Sequence, residues 1–573
     1  MKRARVECGD GVTVERGVAC RMSDGCTLYS DHYYPPPHFT QPQPVLLMRQ
    51  PYGRDIASTV VYAHPAWFAG QGYNVVIQDV RGRGDSEGDF YPFRHEQQDG
   101  AETIAWLLTR PECNGSVGMY GFSYQGMTQF LAAAAQPPGL RCIAPAMAAA
   151  DLWAGWFYHQ GALRLATTLG WGIQMLRADA RRLQLDEAHT QLEAAWQSVR
   201  TQPQAAPYGA IAALSDARLP TYLHDWMSHA EPGEYWAQLD ISTQLDRIQV
   251  PALHVAGWYD FYLQGTWDGF HALCKQAATQ EAREHQYLLA GPWVHIPWAQ
   301  RVGDADLGAE AAYDTDRLLL RWFNHWLKGS GEFVGEPRIR HFALGATTGA
   351  SRWCCTTQLK PQGTHTLYLA SDGRANSAKG DGRLEEAPQA TAAADHFVYD
   401  PEVPVLAPGG IQALSGPFDQ SGIEQGNNVL VYTTPTLQSS LHVFGAPRVT
   451  LHAATSAPAA DLTAKLVRVT PQGRAEFVCV GIARSSLLFR EAEYTADRVH
   501  AWTFALEPTS CRFAAGDCIR LEIAGSAFPL YDRNPSSNVP AREASPWNWA
   551  RSTHTVRHDA HHPSKLELPL CPE

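Results

Sequence analysis

Residues 116–135 read SVGMYGFSYQGMTQFLAAAA, an apolar run followed at once by a helical pattern. Ser123 stands where the two meet, and Gly121 just before it permits a tight turn. A nucleophile elbow requires a strand that ends at the serine and a helix that begins just after it. This turn exposes the serine hydroxyl at the carboxyl edge of a sheet. The usual Gly-x-Ser-x-Gly pattern is displaced here, because its second glycine arrives one position late, at Gly126. The context nevertheless predicts that Ser123 is a nucleophile.

The strict Gly-x-Ser-x-Gly pattern occurs elsewhere, in GDSEG at residues 84–88. Its serine, Ser86, follows the Gly-rich stretch VRGRGD and precedes DFYPF, whose Pro92 and aromatic residues make a poor helix start. A serine-capped turn beyond a strand is therefore the better interpretation of Ser86.

Short apolar runs recur on both sides of Ser123, each bounded by Gly or Pro or close to one. Helical patterns such as AETIAWLLTR lie between them, so the runs predict buried strands of a largely parallel sheet. The runs are VLLM (45–48), NVVIQDV (74–80), SVGMY (116–120), ALHVAG (252–257) and YLLAG (287–291). We expect an α/β domain in two parts, residues 1–150 and 244–335, interrupted at 151–243 by a helical cap that contains segments such as HTQLEAAWQSV.

The pattern changes after the helix-like DTDRLLLRWFNHWLKG, residues 314–329. Alternating apolar and polar residues follow in HTLYLA, NVLVYTT, RVTLHAA and other short segments. Many short strands separated by turn residues are typical of a β-sandwich or jelly roll. The sequence therefore predicts a C-terminal β domain at residues 336–573.

The acid and the base of an α/β-hydrolase follow the nucleophile in chain order, on loops at the carboxyl ends of strands. Asp260 closely follows ALHVAG, whereas Asp268 lies inside a helical pattern, so Asp260 is the predicted acid. Among the 23 histidines, His295 follows YLLAG at the same edge and is the predicted base. Trp293 and Trp298 beside it would exclude water.

These residue types support acyl transfer. Asp260 would orient the imidazole, and His295 would take the proton of Ser123 and return it to the leaving group. The rate should therefore rise with pH as His295 loses its proton. The backbone N–H of Tyr124 is the predicted first oxyanion donor. The hydroxyl of Tyr52, in RQPYGR, would supply a second donor, although a tyrosine packed beside a proline explains this residue equally well.

Several stretches, taken together and in order, resemble the CocE/NonD hydrolases. This family includes cocaine esterase, α-amino-acid ester hydrolases, cephalosporin acylases and X-Pro dipeptidyl-peptidases. The stretches include RQPYGR, QDVRGRGDSEG, GMYGFSYQGMTQF, HVAGWYDFYLQGT, GPWVHIPW and FPLYDRNP, and the resemblance spans about residues 12–568. The family's own elbow reads Gly-x-Ser-Tyr-x-Gly, as it does here.

The resemblance implies an α/β-hydrolase fold with an inserted helical cap and a C-terminal β jelly-roll domain. It also implies that Ser123, Asp260 and His295 form a catalytic triad. The hydroxyl of Tyr52 and the N–H of Tyr124 would form the oxyanion hole.

The resemblance bears on the substrate as well. Residues 261–263, after the triad aspartate, read FYL, where α-amino-acid ester hydrolases carry acidic residues that pair with an ammonium group. A free α-amino group is therefore not expected in the substrate. Trp156 and Trp171 stand where cocaine-esterase-like members place cap aromatics around the acyl group. With Tyr262 they are predicted to wall an apolar or aromatic acyl pocket, although helix-core packing explains Trp171 as well.

Composition argues against several other classes. The chain of 573 residues has a net charge of −12 and no Lys/Arg cluster, so no nucleic-acid partner is expected. No apolar run approaches the length of a membrane span, and no membrane association is expected. The 12 cysteines are scattered without a Cys-x-x-Cys, which predicts neither a metal site nor a disulfide framework and favours a reducing cytoplasm.

We therefore expect a cytoplasmic serine hydrolase that needs no cofactor. Its partner would be a small-molecule ester or amide of a small hydrophobic or aromatic acyl group, and a homo-oligomer is left open. Two alternatives are an acylase or X-Pro dipeptidyl-peptidase, and a non-catalytic protein whose jelly roll binds carbohydrate. The intact order of serine, aspartate and histidine disfavours the second.

Overall fold

The computed structural model describes residues 5–55, 59–201, 212–345, 352–409, 415–489 and 493–572. In chain order, the strands up to residue 356 are β1 (Val6–Glu7), β2 (Thr13–Arg21), β3 (Thr27–Tyr34), β4 (Gln43–Gln50), β5 (Asn74–Asp79), β6 (Cys113–Phe122), β7 (Leu140–Ala146), β8 (Tyr158–His159), β9 (Ala162–Leu163), β10 (Ala252–Gly257), β11 (Gln286–Gly291), β12 (Arg301–Val302), β13 (Ala305–Asp306), β14 (Ile339–Phe342) and β15 (Trp353–Thr356). The helices are α1 (Pro65–Gly70), α2 (Glu96–Leu108), α3 (Tyr124–Ala134), α4 (Leu165–Arg182), α5 (Asp186–Thr201), α6 (Tyr222–Ser228), α7 (Glu234–Ala237), α8 (Leu263–Gln276), α9 (Gln280–Glu284), α10 (Thr315–Lys328) and α11 (Ser485–Leu488).

A mixed sheet of eleven described strands forms the centre of the first domain, in the order β1-β2-β3-β5-β4-β6-β7-β10-β11-β14-β15. The strands from β5 to β14 pair in parallel, and the outer strands are antiparallel. Helices α2, α3 and α8 cover one face, and α1 and α10 cover the other. Because both faces are covered, strands such as β5 and β10 are buried at every residue.

The five predicted strands of this sheet correspond to β4, β5, β6, β10 and β11. The sequence patterns do not predict β7, whose segment LRCIAPA has an exposed arginine, Arg141, at its second position and carries Pro145 near its end. They also miss β2 and β3, which extend the sheet on its antiparallel side and mix polar with apolar residues. Tertiary pairing decides the conformation of these segments, since their local patterns are weak.

The segment between β7 and β10 forms a mainly helical cap. It contains a π-helical turn at Trp153–Phe157, the short hairpin β8–β9, and helices α4 to α7. A buried ion pair ties it to the sheet, because Arg83 after β5 donates from Nη2 to Asp179 Oδ2 on α4 at 3.0 Å. Tyr222 on α6 donates its hydroxyl to the same carboxylate at 2.8 Å.

The second domain is a β-sandwich of many short strands, as the alternating pattern predicts. Its larger sheet has the order β18-β27-β21-β28-β16-β17-β19-β26-β22-β23, with β24 paired to β21, and β20 pairs with β25. The strands are β16 (Thr364–Ala370), β17 (Arg383–Glu385), β18 (Asp395–Tyr399), β19 (Leu430–Thr433), β20 (Leu441–Gly445), β21 (Arg448–Thr455), β22 (Asp461–Val469), β23 (Ala475–Arg484), β24 (His500–Ala505), β25 (Thr509–Phe513), β26 (Cys518–Ala524), β27 (Ser552–Arg557) and β28 (Lys565–Pro569). Within the described parts of the chain, no helix has the length and apolar character needed to cross a membrane.

Candidate active site

Ser123 lies at a sharp turn between β6 and α3. Its backbone has φ 60° and ψ −127°, a left-handed conformation that few non-glycine residues adopt. Gly121, at φ 139°, makes this turn possible, because a Cβ there would stand 2.4 Å from Cβ of Gln125. The strand, the strained serine and the helix thus have the geometry of a nucleophile elbow.

The late glycine of the elbow has a packing role. A Cβ on Gly126 would lie 2.6 Å from Cβ of Ala148, so only glycine lets the first turn of α3 approach the segment after β7. The preceding position, where the usual pattern has glycine, holds a glutamine. The side-chain carbonyl of Gln125 accepts a hydrogen bond from the Phe122 N–H at 3.2 Å, which stabilises the turn.

Asp260 and His295 meet at the carboxyl edge of the sheet, one after β10 and the other after β11. Nδ1 of His295 lies 2.6 Å from Oδ1 of Asp260. The other carboxylate oxygen accepts a hydrogen bond from the N–H of Tyr262 at 3.2 Å. The Asp260 side chain is fully buried, whereas the imidazole is 16% exposed. The carboxylate is therefore held from two sides and orients the ring toward the open side.

A cavity of about 540 Å³ opens beside these residues, and Ser123, His295 and Tyr52 all line it. The indole N–H of Trp171 donates to the Tyr52 hydroxyl at 3.2 Å. Burial raises the pKa of Tyr52 to about 12, against the opposing effect of its hydrogen bonds with Trp171 and Ser123. The phenol is thus protonated at neutral pH, and it lines the same cavity as the serine side chain.

Tyr124 is the first residue of α3, where a backbone N–H has no partner within the helix. Its side chain is buried, and the hydroxyl donates to Glu96 Oε1 at 2.7 Å and accepts from the Phe93 N–H at 3.0 Å. The other oxygen of Glu96 accepts from Arg49 Nη1 at 2.6 Å. This buried network fixes the side chain of the residue whose backbone N–H is the predicted oxyanion donor.

The predicted acyl wall is only partly at the cavity. Trp171 and Tyr262 line it, but Trp156 lies behind Tyr262 and stacks on it with 3.8 Å between ring centroids. Sequence reasoning missed other lining residues, which come from loops, from one face of α4, and from β6 and α3 on either side of Ser123. They are Val60, Phe122, Gln125, Ala166, Thr167, Gly170, Gln174, Phe261 and Ile296.

The cavity is almost free of charge. Among its described lining residues, His295 is the single ionisable group other than the phenols of Tyr52 and Tyr262. Burial raises the pKa of Tyr262 well above its ordinary value, as it does for Tyr52. The lining is therefore suited to a neutral molecule, because a charged one would lose its hydration without gaining a partner.

Ser86, in the strict Gly-x-Ser-x-Gly pattern, is buried away from the cavity. Its hydroxyl donates to the Asp79 carbonyl at 2.8 Å and accepts from the Tyr29 N–H at 2.9 Å. The serine therefore connects the turn after β5 to β3, in agreement with the structural interpretation of this motif.

One group of residues in the described ranges has the composition of a metal site. His341, Cys354 and His442 offer ligand atoms that lie within 4.8 Å of one another, at the seam between β14 and β20. The Ser510 hydroxyl already lies 2.9 Å from His341 Nδ1 and 3.1 Å from His442 Nε2. Since a protein hydroxyl joins both rings, we assign this group a packing role.

Comparison with known proteins finds relatives of both domains. Residues 24–297 match the family model of the X-Pro dipeptidyl-peptidase (S15 family), and residues 332–567 match that of the X-Pro dipeptidyl-peptidase C-terminal non-catalytic domain. The chain is 33% identical to cocaine esterase of Rhodococcus sp. (strain MB1 Bresler), over 97% of this chain and 98% of that protein.

Two solved structures show the same fold over nearly the whole chain. An aminopeptidase from a marine sediment Thaumarchaeota archaeon has a TM-score of 0.80 at 24% identity, covering 97% of this chain and 96% of that one. An α-amino acid ester hydrolase has a TM-score of 0.78 at 23% identity, covering 99% and 98%. The predicted α/β-hydrolase fold with its C-terminal jelly roll is thus confirmed. Together with the identity to the Rhodococcus protein, it shows that this chain belongs to the CocE/NonD family of α/β-hydrolases and is a serine hydrolase.

Proposed function

We propose that the protein hydrolyses esters of small, neutral, hydrophobic or aromatic carboxylic acids through an acyl-enzyme on Ser123. The observation that carries this proposal is the uncharged cavity of about 540 Å³, which has the serine, the imidazole and the Tyr52 phenol on its wall. Aromatic side chains of Phe122, Trp171 and Tyr262 supply apolar surface for an acyl group.

The reaction follows from the positions of these groups. Ser123 Oγ attacks the ester carbonyl while His295 accepts its proton, and Asp260 stabilises the imidazolium that forms. The Tyr52 hydroxyl and the Tyr124 N–H donate to the oxyanion. Collapse of this intermediate breaks the C–O bond, and the alcohol leaves with the proton from His295. Water then attacks the acyl-enzyme by the same route, which releases the acid and restores the serine.

The main alternative is an acylase or X-Pro dipeptidyl-peptidase, as the name of the matching family model suggests. Such a peptidase would have to hold a substrate ammonium, which calls for a carboxylate at the cavity. The described lining provides none, because Phe261 and Tyr262 follow the buried Asp260. The non-catalytic carbohydrate-binding alternative does not apply to a serine hydrolase.

We also propose a reducing cytoplasmic location and a small-molecule partner. All twelve cysteines are free, and several are buried thiols such as Cys142 and Cys479. Thiols in this state are typical of proteins that remain in a reducing compartment.

A fluorophosphonate probe followed by peptide mass spectrometry tests the nucleophile. Labelling should occur at Ser123 and disappear in Ser123→Ala. The matched control is Ser86→Ala, which removes the serine of the strict motif and should leave labelling intact while lowering stability by about 1–3 kcal/mol. Labelling that survives Ser123→Ala, or that disappears in folded Ser86→Ala, would refute the assignment. Aryl and alkyl esters paired with their matching amides then measure the substrate preference, which we expect to favour neutral esters.

A further inference from the structure

A buried ion pair joins the cap to the jelly roll next to the acid of the proposed triad. Arg164, the residue before α4, donates from Nη1 to Oε1 of Glu507 at 3.0 Å. Arg164 is fully buried and Glu507 is 9% exposed. Glu507 follows β24, so the two charges are brought together from separate domains, 343 positions apart in the chain.

This pair and Asp260 share a small internal cavity of about 30 Å³, whose wall also contains Ser415. Two further donors of Arg164, Nε and Nη2, are buried without a hydrogen-bond partner among the described residues. A cavity of this size holds about one water molecule, which could join these donors to neighbouring oxygens. A guanidinium is seldom left with two unpaired donors for packing alone, because its desolvation is costly.

The remaining titratable groups around this cluster are neutral near pH 7. Burial raises the pKa of the phenols and of the thiol and lowers the pKa of the imidazole. These groups are His159 from the cap, Cys479 and Tyr531 from the β domain, and Tyr52, Tyr259 and Tyr262 from the hydrolase domain. Among the described residues that line this small cavity, Arg164 and Glu507 are the charged groups beside Asp260.

We propose that Glu507 and Arg164 are positioning residues for the proposed triad: the Glu507 carboxylate neutralises the buried Arg164 guanidinium, which if left alone would lower the pH at which His295 becomes a base. This inference rests on the proposed function of Ser123, Asp260 and His295. Neither residue lines the substrate cavity, so both act through Asp260. The β domain thereby contributes a charge to the electrostatics of catalysis.

The two members of the pair respond differently to loss of the partner. An arginine keeps its charge in a protein interior, so Glu507→Gln leaves an uncompensated positive charge near Asp260. That charge disfavours the imidazolium, and His295 loses its proton at lower pH. A glutamate left alone takes up a proton instead, so Arg164→Met should destabilise the protein with little electrostatic effect. The double variant Arg164→Met/Glu507→Gln has no charge and should restore the original pH dependence.

The test is the rate of fluorophosphonate labelling of the full chain as a function of pH. The acid limb of this profile is the pH range in which the rate rises as His295 loses its proton. Its position on the pH axis does not depend on the fraction of protein that is folded. We expect Glu507→Gln to move the limb to lower pH by about 0.5 to 1 unit. The double variant should lie within about 0.2 unit of the wild type. The matched control is Glu424→Gln, which leaves Arg520 unpaired within the same domain and away from the triad, and should not move the limb.

An unmoved limb in Glu507→Gln, or a shift that persists in the double variant, would overturn the role of the pair while the proposed function stands. Absence of labelling at Ser123 in the wild type would instead overturn the proposed function. Circular dichroism of each variant distinguishes a folded protein with a shifted limb from one that has lost its structure.

Discussion

The indole N–H of Trp171 points at the hydroxyl of Tyr52 from 3.2 Å away, so a residue of the cap holds the proposed oxyanion donor of the hydrolase domain. Tyr52→Phe should lower kcat by about 10²–10³-fold, the usual cost of one oxyanion donor.

Trp171→Phe keeps an aromatic ring but removes the N–H, and we expect a fall of about tenfold in kcat with little change in KM.

The double variant Trp171→Phe/Tyr52→Phe shows whether Trp171 acts by orienting the Tyr52 phenol or only by packing in the wall of the cavity. If Trp171 acts by orienting the phenol, the double variant should be no slower than Tyr52→Phe alone. Additive losses in kcat would mean that the indole serves the reaction in another way.

The raised pKa of Tyr52 predicts the alkaline side of the pH profile. The phenol donates only while it is protonated, so its contribution is lost as pH rises through about 12, not through the ordinary value near 10. For a neutral ester, kcat/KM should therefore stay level from about pH 8 to 10. Tyr52→Phe should show the same level region at a lower rate. A wild-type decline centred near pH 10 that is absent in Tyr52→Phe would contradict this prediction.

Asp260→Asn should preserve the fold and lower kcat by about 10³–10⁴-fold. The asparagine amide would favour the wrong imidazole tautomer and would not stabilise the imidazolium. The matched control is Asp268→Asn on α8, which hydrogen-bonds Gln264 on the same helix and should have near-wild-type kcat. Steady-state rates on one aryl ester, with circular dichroism for the fold, decide the outcome. Similar rates for the two variants would show that Asp260 has no special role.

Gly170 lines the cavity, so a larger side chain at this position should reduce the size of the acyl group that the cavity accepts. It lines the cavity on α4, and a Cβ built there has open space within 4 Å. Gly170→Leu should fill this space and lower kcat/KM for aromatic acyl esters by about 10–200-fold, with acetyl esters much less affected. A panel of p-nitrophenyl esters of increasing acyl size measures the change. An equal loss for every ester would show that Gly170 does not face the acyl group.

Gly126→Ala and Gly170→Ala form a pair that tests the packing role of the late elbow glycine. Both positions lie in helices, where alanine is intrinsically favoured by about 1 kcal/mol. The alanine Cβ at 126 would clash with Ala148, and we expect a loss of about 1–3 kcal/mol in the free energy of unfolding. At 170 the same change should be neutral or stabilising. Denaturant unfolding compares the two, and equal stabilities would refute the packing argument.

The sequence predicts those parts of the site that follow strands. Ser123, Asp260 and His295 each come within a few residues after an apolar run, and the parallel sheet brings the ends of β6, β10 and β11 to one edge. Chain order and strand ends therefore suffice to nominate these residues. The same reasoning predicts the architecture of both domains, because their strands differ in pattern. The first domain has short continuous apolar runs, and the second alternates apolar with polar residues.

The remaining parts of the site depend on tertiary packing that no local pattern encodes. Trp156 and Trp171 both occur in apolar cap segments, and only their packing decides that one lines the cavity while the other stacks behind Tyr262. Arg164 and Glu507 belong to different domains, and neither lies in a motif. β7 forms a strand because β6 and β10 pair with it on either side, and its own sequence pattern does not predict this.

The ion pair between Arg83 and Asp179 has a consequence for the exchange of caps between related hydrolases. Protein engineers who graft a foreign cap onto this scaffold would leave Arg83 in place, because it belongs to the loop after β5. A donor cap without a carboxylate at the position of Asp179 would bury an unpaired guanidinium in the chimaera. Compatible donors are therefore those that carry this acid, and the pair acts as a compatibility rule for recombination.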